Sequence, residues 1–126
     1  CTAMKRSPLC GSTVTVDVAM QEGRIARFAQ DVKACALGQA SATVLGARAI
    51  GRTRAEIAAG RDQLRALIKE DGPTPEAPFE ELEALRPARD YKNRHASILL
   101  AWEAALAAID AAAAEQGAAA GGVAEA

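Results

Sequence analysis

Two cysteines and a histidine are the side chains of this sequence best suited to chemistry. Cys10 and Cys35 carry thiols, which bind iron or zinc as thiolates, and His95, the one histidine of the chain, carries an imidazole that suits the same ions. Each of these residues falls at a junction between predicted elements. Because loops from one end of a sheet can converge, the three positions indicate a shared metal site.

The number and setting of the cysteines favour reactive thiols. The chain has three cysteines, and an odd number without a secretory feature argues for reduced thiols over a disulfide framework. Pro8 and Gly11 shape the approach to Cys10 at a strand edge. Cys35 borders a predicted helix start, where the helix dipole favours the thiolate.

Plainer interpretations stand beside the metal site. A free cysteine among alanine and leucine is often a small buried apolar residue, and Cys10 and Cys35 form no CxxC pair. Spacing alone favours an exposed or capping residue over a ligand for His95. Cys1 is interpreted as a terminal accident, and Trp102 as a core residue. The spacing alone leaves these alternatives open.

A β-hairpin is the element that must position Cys10 and Cys35. Residues Thr13–Gln21 alternate between valine or methionine and mostly polar residues, which is typical of a half-buried strand. Glu22-Gly23 is a turn signal, and the alternation resumes over residues 24–32. The apolar positions shift from odd to even between Ile25 and Phe28, which predicts a bulge in the second strand.

Helices are predicted for most of the remaining chain. A helix over residues 39–50 is nearly apolar all round and should be substantially buried, with its Val44 and Leu45 against the valines of the first strand. Thr53 and Glu56 form a capping box that begins a helix over residues 54–70. A short acidic helix over 79–85 should end before Pro87. A last helix begins near Ser97, and its core side carries Ile98, Leu99, Trp102, Leu106 and Ile109.

Length and charge bound the class of protein. The 126 residues suit one domain, placed at residues 1–116, with a disordered tail rich in alanine and glycine at 117–126. A net charge of −1 gives no field that would attract nucleic acid or an anionic membrane. No apolar run approaches the roughly 20 residues of a bilayer span, and no signal region is visible, so a cytoplasmic location is expected.

Five segments together resemble a known family. The U-type iron-sulfur cluster scaffold family (the IscU, SufU and NifU N-terminal domains) has P-x-C-G-D before a strand, G-C-A-I-S-x-A-S entering a helix, a G-K-[ST] break, and R-x-x-C-x-x-L-x-W or H-C-S-I-L near its end. This chain is similar over about residues 7–109, through SPLCG at 7–11, GRI at 23–25, ACALGQASA at 34–42, GRT at 51–53 and RHASILLAW at 94–102. The resemblance implies an α+β fold: a small antiparallel sheet, a hairpin to which a third strand could add, packed on one face by helices.

Two departures from the family pattern affect the implied site. Ser12 stands where the family has aspartate, and no third cysteine precedes the last helix. Ser97 takes the missing position if the ending is aligned through Trp102, and Ala96 takes it if the ending is aligned through the adjacent histidine. The site implied by the resemblance is therefore Cys10, Cys35 and His95, one ligand short of a closed tetrahedral set.

The resemblance implies a scaffold or carrier in iron-sulfur cluster assembly and not an enzyme. Such a protein accepts sulfur from a cysteine desulfurase, holds an iron-sulfur cluster or iron through Cys10 and Cys35, and passes the cluster to acceptor proteins. One alternative is an interaction module of the desulfurase system that has lost cluster binding. Another is a zinc-bound relay that carries a persulfide on Cys35.

Overall fold

The sheet forms as the alternation predicts. In a computed structural model, described over residues 2–6, 12–34, 36–76 and 79–123, strand β2 (Thr13–Gln21) pairs antiparallel with strand β3 (Arg24–Lys33). Glu22 and Gly23 connect them with φ of 55° and 76°. Two consecutive residues with positive φ make the tight turn whose twist matches that of the flanking strands. The predicted hairpin and its turn are confirmed.

The predicted bulge is also present in β3. Ala19 faces Arg27, whereas the next residue, Met20, faces Ile25, so Ala26 is the extra residue. The insertion changes which positions of β3 face inward. Ile25 is therefore buried on the same side as Val18, whose partner is Phe28.

A third strand completes the sheet. Strand β1 (Thr2–Arg6) pairs antiparallel with β2, and the order is β1-β2-β3. Ala3 lies opposite Val16 and packs against the core, while Met4 is exposed. The strand has only five residues, and its one inward-facing apolar residue is an alanine, so the sequence shows no alternation strong enough to predict it.

The helices cover one face of the sheet, but a different helix from the one predicted lies behind β2. Helix α1 (Ala36–Arg48) packs against β3, and helix α3 (His95–Val123) packs against β1, β2 and α1. The inward valines of β2 and Leu45 share one core, whereas Val44 is only half-buried. The α+β architecture is confirmed, and the expectation that α1 backs the β2 valines is corrected: α3 does.

Helix α1 is buried along one face only. It begins and ends earlier than predicted, and Gly38, Ser41, Ala42 and Leu45 are buried. Ala40 and Ala47 are exposed, so the helix is less buried than its nearly all-apolar composition predicted. Alanine is small enough to be tolerated in water, so a run of alanines does not by itself predict which face is buried.

Helix α2 (Arg54–Glu70) has the predicted bounds and capping box. The Glu56 amide donates to Thr53 Oγ1 at 3.2 Å, and the Thr53 amide donates to Glu56 Oε1 at 2.9 Å. Both donors would otherwise lack an intrahelical partner. The core stripe is confirmed, since its four residues are buried: Ile57, Leu64, Leu67 and Ile68.

The segment after the proline-rich connection is longer than predicted. A 3-10 helix spans Glu80–Asp90 and runs through Pro87 instead of ending before it, and a short 3-10 turn, Lys92–Arg94, leads into α3. Pro87 is exposed. The fixed φ of proline suits a 3-10 helix, and solvent can satisfy the carbonyl that loses its donor.

Helix α3 is the central helix of the core. The five core residues predicted for it are all buried. By length and composition, the segment His95–Ala113 could cross a bilayer, although the sequence was not expected to contain a membrane-spanning helix. However, 67% of the most apolar 18-residue stretch of this segment is buried inside the protein, as in the core helix of a folded domain. The domain boundary after residue 116 and the tail at 117–126 stay predictions.

An ion-pair network ties the end of α2 to the first 3-10 helix and makes stability depend on pH. The Arg86 guanidinium donates to Glu83 and to Asp71. The bond from Arg86 to Glu83, with one from Thr74, lowers the pKa of Glu83 to about 2. A carboxyl with a depressed pKa stabilises the folded state above its unfolded value and loses that contribution as the pH falls toward its folded value.

We therefore expect the midpoint temperature of unfolding to fall between about pH 4.5 and pH 2, and to fall less steeply in Arg86→Ala. The effect is small because the pair is exposed. Thermal unfolding followed by circular dichroism across this range measures it, with exposed Arg65→Ala on α2 as control. Equal slopes for the parent and Arg86→Ala would contradict the assignment.

Candidate functional site

The starts of β2, α1 and α3 meet at one buried point. Ser12, immediately before β2, is 4% exposed, and Ser97, in the first turn of α3, is 1% exposed. Their Oγ atoms lie 2.9 Å apart and form a hydrogen bond in which either hydroxyl can donate. This contact joins residues 85 positions apart. We call the contact point of Ser12, Gly38 and Ser97 the serine junction.

Gly38 allows α1 to approach α3 at the serine junction. A Cβ at position 38 would lie 2.7 Å from Ser97 Oγ and 2.9 Å from the Ala34 Cβ. Such separations are shorter than carbon and oxygen atoms tolerate, so a side chain here would push the two helices apart. The glycine therefore holds the first turns of α1 and α3 together.

A hydrogen bond joins α1 to α3 about one turn beyond Gly38. Trp102 Nε1 donates to Ser41 Oγ at 3.0 Å, and both residues are fully buried. The Trp102 ring also packs edge-on against Phe79, with 4.8 Å between ring centroids. The interpretation of Trp102 as a core residue is confirmed, and it also orients the helix that carries Ser97.

The structure shows which α3 side chain faces the serine junction. Ser97 is buried there, whereas the neighbouring Ala96 is exposed. Successive residues of a helix point about 100° apart, so the two cannot both face the junction. The position that the alignment through Trp102 assigns to the missing cysteine is the one that faces Ser12.

His95 is buried, so the expectation of an exposed residue is wrong, whereas the expectation of a capping residue is confirmed: its backbone amide caps the Lys92–Arg94 turn by donating to the Lys92 carbonyl oxygen. Its ring is 6% exposed, and Nε2 lies 3.1 Å from the Ala88 carbonyl oxygen. A carbonyl oxygen only accepts hydrogen bonds, so Nε2 carries the proton and, in the neutral ring, Nδ1 does not. This arrangement resembles metal-binding histidines, whose second nitrogen usually donates to a carbonyl or carboxylate.

Cys10 and Cys35 lie outside the described residues. In sequence, Cys10 precedes Ser12 by two positions, and Cys35 separates Ala34 from Ala36, the first residue of α1. Within the described part of the chain, no group of three or more histidine, cysteine, aspartate or glutamate residues could hold a metal ion. The clustering of Cys10, Cys35 and His95 stays a prediction.

Sequence reasoning singled out Ser12 and Ser97 as departures from a pattern but missed that they bind each other. Their positions in the sequence could have predicted this contact, since Ser12 lies just before β2 and Ser97 lies near the start of α3, and the starts of these elements were expected to converge. Gly38 was missed as a contact residue because a glycine in a small-residue run has no distinctive pattern.

Comparison with solved structures identifies the family. No family model matches the chain, and no curated protein matches it. The crystal structure of a nitrogen-fixing NifU-like protein (N-terminal) from Brucella abortus is 45% identical over 91% of this chain and 80% of that one, with a TM-score of 0.87.

Two more distant structures share the fold. A putative iron-sulfur cluster assembly scaffold protein for the SUF system from Fervidobacterium islandicum is 20% identical over 86% of this chain and 79% of that one, with a TM-score of 0.76. A hypothetical protein is 23% identical over 86% and 80%, with a TM-score of 0.79. Together with the 45% identity to the Brucella protein and the sheet and helix order described above, this places the chain in the U-type, NifU-like scaffold family.

Proposed function

We propose that this protein is a scaffold or carrier in iron-sulfur cluster assembly. In this role it receives iron and sulfur as substrates, holds an iron-sulfur cluster or iron through Cys10 and Cys35, and passes it on. Zinc is a further ion that the same thiolates would bind. Membership of the NifU-like family supports the role, and so does the name of the structural neighbour from the SUF system.

The observation that carries the proposal is the serine junction. It brings the starts of β2 and α1 to the same point as the start of α3. Cys10 is two residues from Ser12, and Cys35 is bonded to Ala34, which also contacts position 38. Both cysteines are thus close in sequence to residues that form the junction, and the proposal assigns a site shared by the two thiolates to this point.

His95 is the proposed third donor. With Nε2 hydrogen-bonded to Ala88, the remaining nitrogen of the neutral ring has a lone pair that suits iron or zinc. The chemistry of the donor set therefore fits iron, and it leaves one coordination position without a ligand from the three proposed residues. A weakly held cargo is what a carrier needs, because the cargo must leave.

The proposed role is not enzymatic and requires protein partners. A cysteine desulfurase would supply sulfur, and iron-sulfur acceptor proteins would receive the cluster. Reduced thiols are needed for the cargo, so we infer that the protein acts in the cytoplasm. The balanced charge of the chain gives no support for binding to nucleic acid or membranes.

Two other functions are tested against the scaffold. The Ser12–Ser97 bond favours an interaction module that keeps the fold and the desulfurase-binding surface without holding a cluster, because it places two hydroxyls where the family pattern has an aspartate and a cysteine. A zinc-bound persulfide relay through Cys35 is the enzyme-like alternative.

Anaerobic reconstitution with ferrous iron and sulfide, followed by visible absorption and metal analysis, separates the three functions. A scaffold gives a coloured protein with bound iron and sulfide that co-elute with it on a desalting column. Stoichiometric zinc in the purified protein without colour after reconstitution indicates the relay. A protein that shows no colour and binds no metal would contradict both the scaffold and the relay, and the interaction module would remain.

A further inference from the structure

One carboxylate at the end of α2 binds two arginines of the first 3-10 helix. Asp71 Oδ1 accepts a hydrogen bond from Arg86 at 2.7 Å, and Asp71 Oδ2 lies 2.8 Å from a guanidinium nitrogen of Arg89. Side chains three positions apart are eclipsed in a 3-10 helix, so both guanidinium groups reach the same carboxylate. The two arginines flank Pro87 and Ala88 in sequence, so Asp71 holds the helix on both sides of Ala88.

Ala88 is the residue through which this 3-10 helix binds His95. Ala88 is 2% exposed, and its carbonyl oxygen accepts hydrogen bonds from the Tyr91 amide at 2.9 Å and from His95 Nε2 at 3.1 Å. A carbonyl oxygen only accepts, so the place of the Ala88 carbonyl decides which ring nitrogen carries the proton. With the proton on Nε2, the Nδ1 atom of the neutral ring keeps its lone pair.

The backbone conformation at Asp71 indicates that its carboxylate is used. Asp71 ends α2 with a φ of 52°, in the left-handed region. Glycine adopts this conformation without strain and is the usual residue at such helix ends, whereas an aspartate carries a backbone cost. A strained residue of this kind points to a role for its side chain. Here the side chain makes the two arginine contacts.

We infer that Asp71 is a positioning residue for His95. By binding the two arginines it fixes the Ala88 carbonyl, and that carbonyl keeps the His95 proton on Nε2 and the lone pair on Nδ1. The inference rests on the proposed function for the use of this lone pair, since His95 is the proposed third donor. Without the carboxylate, the first 3-10 helix separates more often from α3, and the ring loses its fixed acceptor.

Nuclear magnetic resonance of the metal-free protein tests this, because His95 is the one histidine and its ring signals are therefore unambiguous. Nitrogen chemical shifts of the neutral ring give the tautomer, and the exchange rate of the Nε2 proton with water reports how often the bond to Ala88 opens. We expect the Nε2–H tautomer in the parent. Exchange should be about fivefold faster in Asp71→Gly, the equivalent of about 1 kcal/mol for exposed ion pairs. Glycine retains the left-handed helix end, so only the carboxylate is lost.

Asp110→Ala is the matched control. It breaks the ion pair between Asp110 and Arg54, which is about as exposed as the pair between Asp71 and Arg89 and lies at the opposite end of α2. It should leave the exchange of the Nε2 proton unchanged. Arg89→Ala removes one of the two partners of Asp71, and it should raise the exchange rate by less than Asp71→Gly does.

The outcomes separate this inference from the proposed function. An Nδ1–H tautomer in the parent, or unchanged exchange in Asp71→Gly, overturns the inference. Equal acceleration in Asp71→Gly and Asp110→Ala also overturns it, because the carboxylate would then act only on overall stability. Each of these results leaves the scaffold standing, since the measurement uses no metal. Failed iron-sulfur reconstitution in a protein with the expected tautomer and exchange rates overturns the proposed function and leaves the positioning of His95 by Asp71.

Discussion

Trp102→Ala is expected to lower the free energy of unfolding by about 3–5 kcal/mol, the usual cost of truncating a buried aromatic ring. The ring is fully buried, packs edge-on against Phe79, and donates a hydrogen bond to Ser41. Trp102 is the only tryptophan, so urea unfolding should be followed by far-ultraviolet circular dichroism. Trp102→Phe keeps a ring and should cost clearly less.

Gly60 supplies a matched test of this packing. A Cβ at position 60 would lie 2.7 Å from Trp102 and 2.8 Å from Phe79. Gly60→Ala should therefore destabilise the parent by about 1–3 kcal/mol, as overpacking does. In the Trp102→Ala background it should cost less, because the Trp102 ring has gone and Phe79 can shift into the space that the ring leaves. Additive losses, or a loss under about 1 kcal/mol for Trp102→Ala, would contradict the packing.

Cys35→Ser is expected to abolish the reconstituted iron-sulfur absorption, and Cys10→Ser should do the same. A hydroxyl cannot replace a thiolate as a ligand for iron. His95→Ala should cost less, because a thiolate is a stronger ligand for iron than an imidazole. Cluster yield per protein, measured by visible absorption with iron and sulfide analysis, provides the comparison, and Cys1→Ser is the control that should change nothing.

The pH dependence of metal uptake tests the same donors. Binding should strengthen as pH rises and thiols lose their protons, and binding at neutral pH should release protons into a weakly buffered solution. If the Cys35→Ser protein keeps the parent's cluster yield, the assignment of the Cys35 thiolate as a cluster ligand is wrong. An equal loss in His95→Ala and Cys35→Ser would instead show that imidazole and thiolate are equally needed.

Local patterns predicted the elements whose cause is local. The valines of β2 alternate because one face is buried, and Glu22-Gly23 supplies the positive φ values that a two-residue turn requires. The capping box of α2 needs only residues three positions apart. These features depend on residues that are close in sequence, so the sequence predicted the register of the hairpin and the bounds of α2.

Elements that depend on distant partners were misplaced, or were expected without a position in the sequence, as the third strand was. Strand β1 is stabilised by pairing with β2, not by a pattern of its own. The helix behind β2 is α3 and not α1, a choice that depends on how the helices pack against the sheet and against each other. The 3-10 helix continues through Pro87 because its backbone suits the fixed φ of proline, which a rule for α-helices does not anticipate.

For the candidate site, the sequence by itself determined the available donors and their order: Cys10 before the hairpin, Cys35 before α1, and His95 before α3. It left open whether Ala96 or Ser97 stands at the missing ligand position. Only the tertiary structure decided this, because Ser97 meets Ser12 across 85 positions while Ala96 faces solvent. The physical reason is that a helix's rotation about its axis is set by packing, here at Gly38 and Trp102, and not by the residues of one turn.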